Sequence, residues 1–288
     1  MAKIRVVDFE REPAYMNMAT DEAIALNLKA TTNKPIALKP KDKEEEEVGV
    51  LRFYTWPIET ITIGRDQEVE PKDKPSLNID LLRKYAFVRR PTGGTAILHD
   101  KDFTYSLSIK KEFLSENVLE SYKQIVTGVL YGLTHLGLEA KFRDEKRERK
   151  TMSCYSNINP YDILVNGKKI SGNAQSRDID GIILQQGTIL VKPYNSESMA
   201  DIYSYKGEER TEFLDKTKNG IISLEEALER ETNFKEIENH MLKGFGEAFE
   251  KLGITIKKGE LKEEELEIAS ELKNVYLSER WNHEGKRK

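Results

Sequence analysis

Phe103-Thr104-Tyr105-Ser106-Leu107-Ser108-Ile109 alternates large apolar side chains with hydroxyl side chains without a break. Successive side chains of a strand point to opposite faces, so this stretch reads as a strand in a sheet with one face buried. Further on, Tyr122, Ile125, Val126, Val129, Leu130, Leu133 and Leu136 recur at intervals of three and four and stop at Gly137. That spacing predicts a long amphipathic helix with a glycine just past its end. The helix must cover the sheet, because each has one apolar face to bury.

Working outward, strands are expected over residues 50–54 and 60–64, joined near Pro57, and over 86–90 after a short helix at 79–85. Pro91-Thr92-Gly93-Gly94 forms a turn, with another strand emerging at Thr95. Met16, Ala19, Ala23, Ile24 and Leu26 give a first helix with Asp21 and Glu22 turned to water. Residues 31–49 hold Pro35, Pro40 and the run Lys41-Asp42-Lys43-Glu44-Glu45-Glu46-Glu47; they read as a solvated insertion. Beyond a charged loop over 143–150, Asn166-Gly167 supplies the positive φ of a two-residue hairpin, and Asp180-Gly181 a second turn into a strand over 182–191. The rest is mostly helical. Ser223 with Glu226 marks a capping box, an apolar face runs through Met241, Phe245, Phe249 and Leu252 up to Gly253, and a last helix turns Leu266, Ala269, Leu272 and Tyr276 inward. Strands early and helices late indicate α+β, with a sheet-bearing domain over 1–191 and a smaller helical part over 192–288.

Among the 288 residues, Lys and Arg number 46 against 50 Asp and Glu, a net charge of -4. No global basic field is present to recruit nucleic acid or anionic lipid. No apolar run approaches the roughly 18 residues of a membrane span, so no membrane partner is expected. Cys154 is the sole cysteine, which excludes an internal disulfide and a cysteine-rich zinc site and points to the reducing cytoplasm.

Four places carry chemistry. Arg89-Arg90-Pro91-Thr92-Gly93-Gly94 brings backbone amides and cations to a strand end, suited to a phosphate or carboxylate, and equally to a hairpin turn with exposed arginines. In Gly167-Lys168-Lys169-Ile170-Ser171-Gly172, alternation puts Lys169 with Ser171 and Lys168 with Ile170, so one lysine faces the concave side of the sheet, and is either a functional group paired with an anion or a lysine snorkelling at a strand edge. Cys154 lies among Ser153, Ser156, Asn157 and Asn159, polar company for a buried thiol; it is either an inert residue or a nucleophile. His99 beside Asp100 is either a base or a surface histidine.

These segments, with Asn17-Met18-Ala19-Thr20-Asp21-Glu22-Ala23, Leu51-Arg52-Phe53-Tyr54-Thr55-Trp56, Ile63-Gly64-Arg65-Asp66-Gln67 and Gly167-x-Lys169-x-x-Gly172-x-Ala174-Gln175, occur in an order that resembles the lipoate-protein ligase and octanoyltransferase superfamily. The likeness runs from about Asn17 to Val191. It implies the fold of class II aminoacyl-tRNA synthetases and biotinyl protein ligases, a mixed sheet packed with helices. The ATP-dependent ligases of that superfamily read Ser-Gly-Gly-Gly where this chain has Thr92-Gly93-Gly94-Thr95. A cysteine ahead of the lysine motif, and Leu184-Gln185-Gln186-Gly187-Thr188 in place of Leu-Gln-His-Gly-Ser, resemble instead the octanoyltransferases of the LipM type.

The resemblance implies octanoyl transfer from acyl carrier protein to Cys154, and then to the lysine of a lipoyl domain or glycine cleavage H protein, without a cofactor or metal. Lys169 would lower the thiol's pKa and polarise the carbonyl, with amides near Gly93 and Gly94 holding the oxyanion. Arg89, Arg90, Thr92, Gly93, Gly94, His99, Gly172 and Gln175 are the expected substrate-binding residues. An apolar tunnel for the chain is expected between Ile61 and Ile97. Two alternatives stand: a ligase using ATP and Mg, and a catalytically silent module that binds carrier protein. The segment with Arg143, Lys146, Arg147, Arg149 and Lys150 is locally basic, and reads either as a dock for an acidic carrier or as a solvated loop.

Overall fold

The computed structural model describes residues 1–32, 45–71, 76–143 and 161–287. Its centre is an eight-stranded mixed sheet of β1 (Ala2–Arg11), β2 (Glu46–Thr55), β6 (Phe103–Lys110), β7 (Lys141–Phe142), β8 (Ile163–Val165), β9 (Lys168–Ser176), β10 (Ile182–Ile189) and β11 (Ile254–Gly259). Their spatial order is β11-β1-β2-β6-β10-β9-β8-β7. β1 runs parallel to β2 and β11, and the other pairings are antiparallel. A smaller sheet places β3 (Thr60–Ile63) between β4 (Ala86–Arg89), parallel to it, and β5 (Ile97–His99), antiparallel.

The alternation along β6 sorts its two faces as expected. Phe103, Tyr105, Leu107 and Ile109 join Leu51 and Phe53 of β2 in a core closed by α3 (Val118–His135) and α7 (Phe234–Glu250). The hydroxyl face departs from expectation. Thr104, Ser106 and Ser108 are also buried, because α1 (Ala14–Thr32) lies across β6 and β10; Asp21 of α1 accepts from Ser106, and Thr104 meets Trp56 and Thr188. Hydroxyls with partners can leave water at little cost, so a polar alternation marks here a second buried layer.

Three strands, β1, β7 and β11, were not legible in the sequence. β1 carries Arg5, Asp8 and Glu10 among its apolar residues, and Arg5 is buried because Glu47 of β2, Glu265 of α8 (Glu263–Leu277) and the Glu260 carbonyl take its guanidinium. β11 is a short edge strand with Lys257 and Lys258 facing outward, a composition that protects an edge. The boundary expected at residue 191 therefore falls inside continuous packing. β11 extends the large sheet, α7 shares its core with α3, and α8 lies along α1. Leu266, expected inward, is half exposed, since the buried face of α8 is set by Glu265, Ala269 and Tyr276. The remaining helices are α2 (Ile79–Leu82), α4 (Ser196–Ile202), α5 (Gly207–Gly220), α6 (Leu224–Leu228) with the expected capping box, and α9 (Glu279–Glu284). Asn166 and Gly167 both take positive φ in the expected hairpin. Among the described residues no helix is long and apolar enough to cross a membrane.

The α3–α7 contact depends on missing side chains. A Cβ on Gly244 would overlap the backbone of Gly132 and Gly128 on the facing helix. Gly244→Val is expected to force the helices apart at a cost of about 1–3 kcal/mol, read as a drop of roughly 2–10 °C in Tm by calorimetry.

Candidate active site

The buried polar layer between the sheet and α1 is built by register. Ser106 of β6 stands opposite both Arg52 of β2 and Gln186 of β10, and Thr104 stands opposite Tyr54 and Thr188. Into this layer α1 inserts Asp21, which the sequence reading turned to water. It is fully buried, because four donors meet it: Arg52 Nη1 at 2.8 Å, Tyr54 OH at 2.9 Å, Ser106 Oγ at 2.6 Å and Gln186 Nε2 at 2.7 Å. Burial opposes the charge on Arg52, but Asp21 and Glu10 outweigh it and leave the guanidinium's pKa raised. Burial and then the Asp21 carboxylate hold the Tyr54 phenol well above its usual range, so it remains a donor.

The glycine turn sits against this layer. Thr92 donates from Oγ1 to Gln186 Oε1 at 2.6 Å, and its carbonyl accepts from the Arg65 amide at 2.8 Å. Gly94 has φ +95°, and a Cβ on Gly64 would overlap the Gly94 carbonyl, so both glycines are required by the chain path. A Cβ on Gly93 or Gly172 would meet nothing within 4 Å, so backbone there is open to approach.

The paired arginines have different tasks, and neither is exposed. Arg90 holds the turn from inside, donating to Thr62 Oγ1 at 2.6 Å and to the carbonyls of Gly93 and Thr95 at 2.9 and 3.2 Å. Arg89, expected to bind substrate, does not line the cavity. Its guanidinium is spent on the carbonyls of Gly64, Arg65 and Gln67 and on those of Trp281, Asn282 and His283 at the end of α9. Burial lowers its pKa. The C-terminal segment thus grips the strand that leads into the turn.

His99 is buried, and its acid partner is Asp102 rather than the expected Asp100. Nδ1 lies 2.6 Å from Asp102 Oδ2, Nε2 lies 2.8 Å from Thr62 Oγ1, and Trp56 stacks on the ring at 4.3 Å. The carboxylate of Asp102, which also accepts from Thr188 at 2.5 Å, keeps the proton on Nδ1. The bend between β5 and β6, with Lys101 at φ +56°, turns Asp102 inward and leaves Asp100 exposed; sequence adjacency alone did not distinguish them.

Lys168 and Lys169 separate as alternation requires. Lys168 reaches a surface carbonyl of Lys218. Lys169 is buried and paired at 2.9 Å with Asp162, whose side chain is also buried. The anion an inward lysine requires is therefore Asp162, a residue the sequence reading did not single out.

The glycine turn, Arg90, His99 and Lys169 border one cavity of about 660 Å³, within the range of small-molecule sites. Arg90, Thr92, Gly93, Gly94, His99, Lys169, Gly172 and Gln175 line it, together with Arg177 and Gln186. Its apolar wall comes from Met18, Tyr54, Trp56, Ile97, Val118, Leu119 and Tyr122. Of the stretch expected to form a tunnel, only its end at Ile97 takes part in that wall; Ile61 and Ile63 belong to a separate core beneath the small sheet. Among the described residues three cationic side chains line the cavity and no carboxylate does, an arrangement that favours negative charge developing on a bound group. Cys154 and the basic loop over 144–150 lie outside the described residues.

Comparisons with known proteins converge on one family. The model of the lipoyl protein ligase A/B catalytic domain matches residues 13–246. The chain is 31% identical over 294 residues to octanoyltransferase LipM of Bacillus subtilis, covering 97% of each, and 33% identical over 285 residues to octanoyltransferase LipM of Bacillus anthracis, covering 94% of each. Among solved structures, a bipartite lipoate protein ligase from Thermoplasma acidophilum superposes with a TM-score of 0.76 at 22% identity, over 100% of this chain and 99% of that one. A lipoate-protein ligase A bound with ATP gives 0.72 at 22% identity, over 98% and 99%. At that identity the superpositions establish the shared α+β fold.

The ion pair beneath the cavity has a measurable signature. Asp21→Ala is expected to cost about 3–5 kcal/mol in chemical denaturation, since it leaves the Arg52 charge buried with less compensation. Adding Arg52→Met should return part of that loss, giving a coupling energy of roughly 0.5–3 kcal/mol in the double-mutant cycle.

Proposed function

The chain belongs to the lipoyl protein ligase A/B catalytic domain family, and we propose from that premise that it is an acyltransferase of protein lipoylation that moves an octanoyl group through a cysteine thioester. Octanoyl transfer is supported by near full-length likeness to several octanoyltransferases. The observation that carries the chemistry is the buried Lys169 ammonium, held by Asp162 beside the glycine turn at a cavity with an apolar wall and no lining carboxylate among the described residues.

The donor is the octanoyl thioester of acyl carrier protein, and the acceptor is a lysine of a lipoyl domain or glycine cleavage H protein. The Cys154 thiolate attacks the octanoyl carbonyl; a new C–S bond forms, the donor's C–S bond breaks, and the proton lost by Cys154 leaves on the carrier thiol. The neutral ε-amine of the acceptor lysine then attacks the enzyme thioester. An amide bond forms, and the Cys154 sulfur leaves with the proton the amine gives up. Each step passes through an oxyanion, which the fixed charge of Lys169 stabilises, assisted by amides of the glycine turn. Thioester exchange is nearly neutral and amide formation downhill, so the route needs no ATP. The apolar wall holds the acyl chain, and the cytoplasm supplies carrier and acceptor.

Mixing the protein with octanoyl carrier protein should yield, by intact mass, an adduct of one octanoyl group that maps to Cys154 and disappears on adding acceptor domain. Full turnover by Cys154→Ala would overturn the covalent route, and pyrophosphate exchange into ATP on adding lipoate would replace the reading with that of a ligase. Lys169→Ala should lose on the order of 10²-fold or more in rate. Lys168→Ala should stay near wild type, because its side chain reaches the surface.

A further inference from the structure

Gln186 occupies an unusual position between the buried ion pair and the glycine turn. Its side chain is 5% exposed and lines the cavity. A carboxylate only accepts, so the amide must turn Nε2 to Asp21 and Oε1 to Thr92, and Thr92 must donate its hydroxyl proton. Asp21 is in turn fixed by Arg52, Tyr54 and Ser106. Thr92 is fully buried and immediately precedes Gly93 and Gly94. An ordered chain of donors and acceptors therefore runs from α1 and the centre of the sheet to the first residue of the turn.

The geometry points to Gln186 as the positioning residue that registers the glycine turn to the sheet, through a link that does not change with pH. The groups facing this position are Asp21 on α1, Arg52 and Tyr54 on β2 with Glu10 of β1 behind them, and, around the cavity, Arg90, His99, Lys169 and Arg177. The neighbouring positions on β6 and β9, Ser106 and Ala174, carry no charge. An amide gives one donor and one acceptor at every pH. An imidazole gives the same pair only while neutral; once protonated it donates from both nitrogens, and the hydroxyl of Thr92 loses its acceptor. With an amide at this position, the link in this chain has no protonation step of its own.

Two variants and two readouts test the assignment on the full-length protein. Gln186→Met keeps the length of the side chain and removes both hydrogen bonds; Gln186→His restores both when neutral. The rate arm rests on the octanoyl-transfer reading. In it, Gln186→Met should lose about 10²-fold in kcat, the effect expected of a displacement near 1 Å, with KM for the acceptor domain unchanged. Gln186→His should recover most of that loss at pH 8 and lose it again toward pH 5.5, where wild type keeps its own profile. The second arm needs no activity: hydrogen exchange at the amides of residues 92–96 should quicken in Gln186→Met at pH 8 and return toward wild type in Gln186→His. A wild-type protein that makes no octanoyl product would defeat the transfer reading and leave the exchange arm standing. Unchanged exchange in Gln186→Met, or a Gln186→His that is as impaired as Gln186→Met at every pH, would overturn the positioning role.

Discussion

The Asp21 carboxylate against the Arg52 guanidinium, both without contact to water, is the constraint on which the rest of the site depends. Such a pair is no guarantee of net stability, because each ion must be desolvated before the attraction is gained. What it does secure is geometry. Arg52 also binds Glu10 and Asn17, and Asp21 also binds Tyr54, Ser106 and Gln186. A buried charge leaves little freedom to the groups that satisfy it, so β1, β2, β6, β10 and α1 are locked in one register by the need to complete a single hydrogen-bond set.

From that layer the order extends to the cavity by two routes. Gln186 ties the polar layer to Thr92, and Arg90 ties Thr62 to the carbonyls of the turn. Behind them Arg89 is satisfied by backbone oxygens alone, three of which come from the last helix. The late helices therefore have a defined place in the site without lining it: α9 closes on β4, and Arg287 and Tyr276 close on Glu22 of α1. A chain cut at residue 191 would lose three of the six carbonyls that hold Arg89 and the strand that flanks β1.

A net acidic protein with a cavity bordered by Arg90, Lys169 and Arg177 has sorted its charges by function. Carboxylates at the site stand one layer back, as Asp21, Asp102 and Asp162, where they orient a cation or an imidazole. The cations Arg90, Lys169 and Arg177 line the cavity itself. Among the described residues Arg52, His99 and Lys169 are thus held in place by buried carboxylates that do not themselves line the cavity.

The sequence alone determined the local elements whose causes are local. The period of two over 103–109, the apolar stripe of α3, the Asn166-Gly167 hairpin and the Ser223 capping box all depend on neighbours a few residues away, and each element formed, although the hydroxyl face of 103–109 is buried as well. It also separated Lys169 from Lys168 and ordered the motifs of the family. It did not show that Asp21 is buried, that His99 pairs with Asp102, that Arg89 serves the backbone, or that β1 and β11 belong to one sheet. A charged residue on a strand or helix reads as solvent-facing until its partner is known, and those partners lie far away in sequence: Arg52 for Asp21, Glu265 for Arg5, α9 for Arg89. Tertiary structure decided these because the free energy of burying a charge is set by the groups that meet it, and only the fold brings them together.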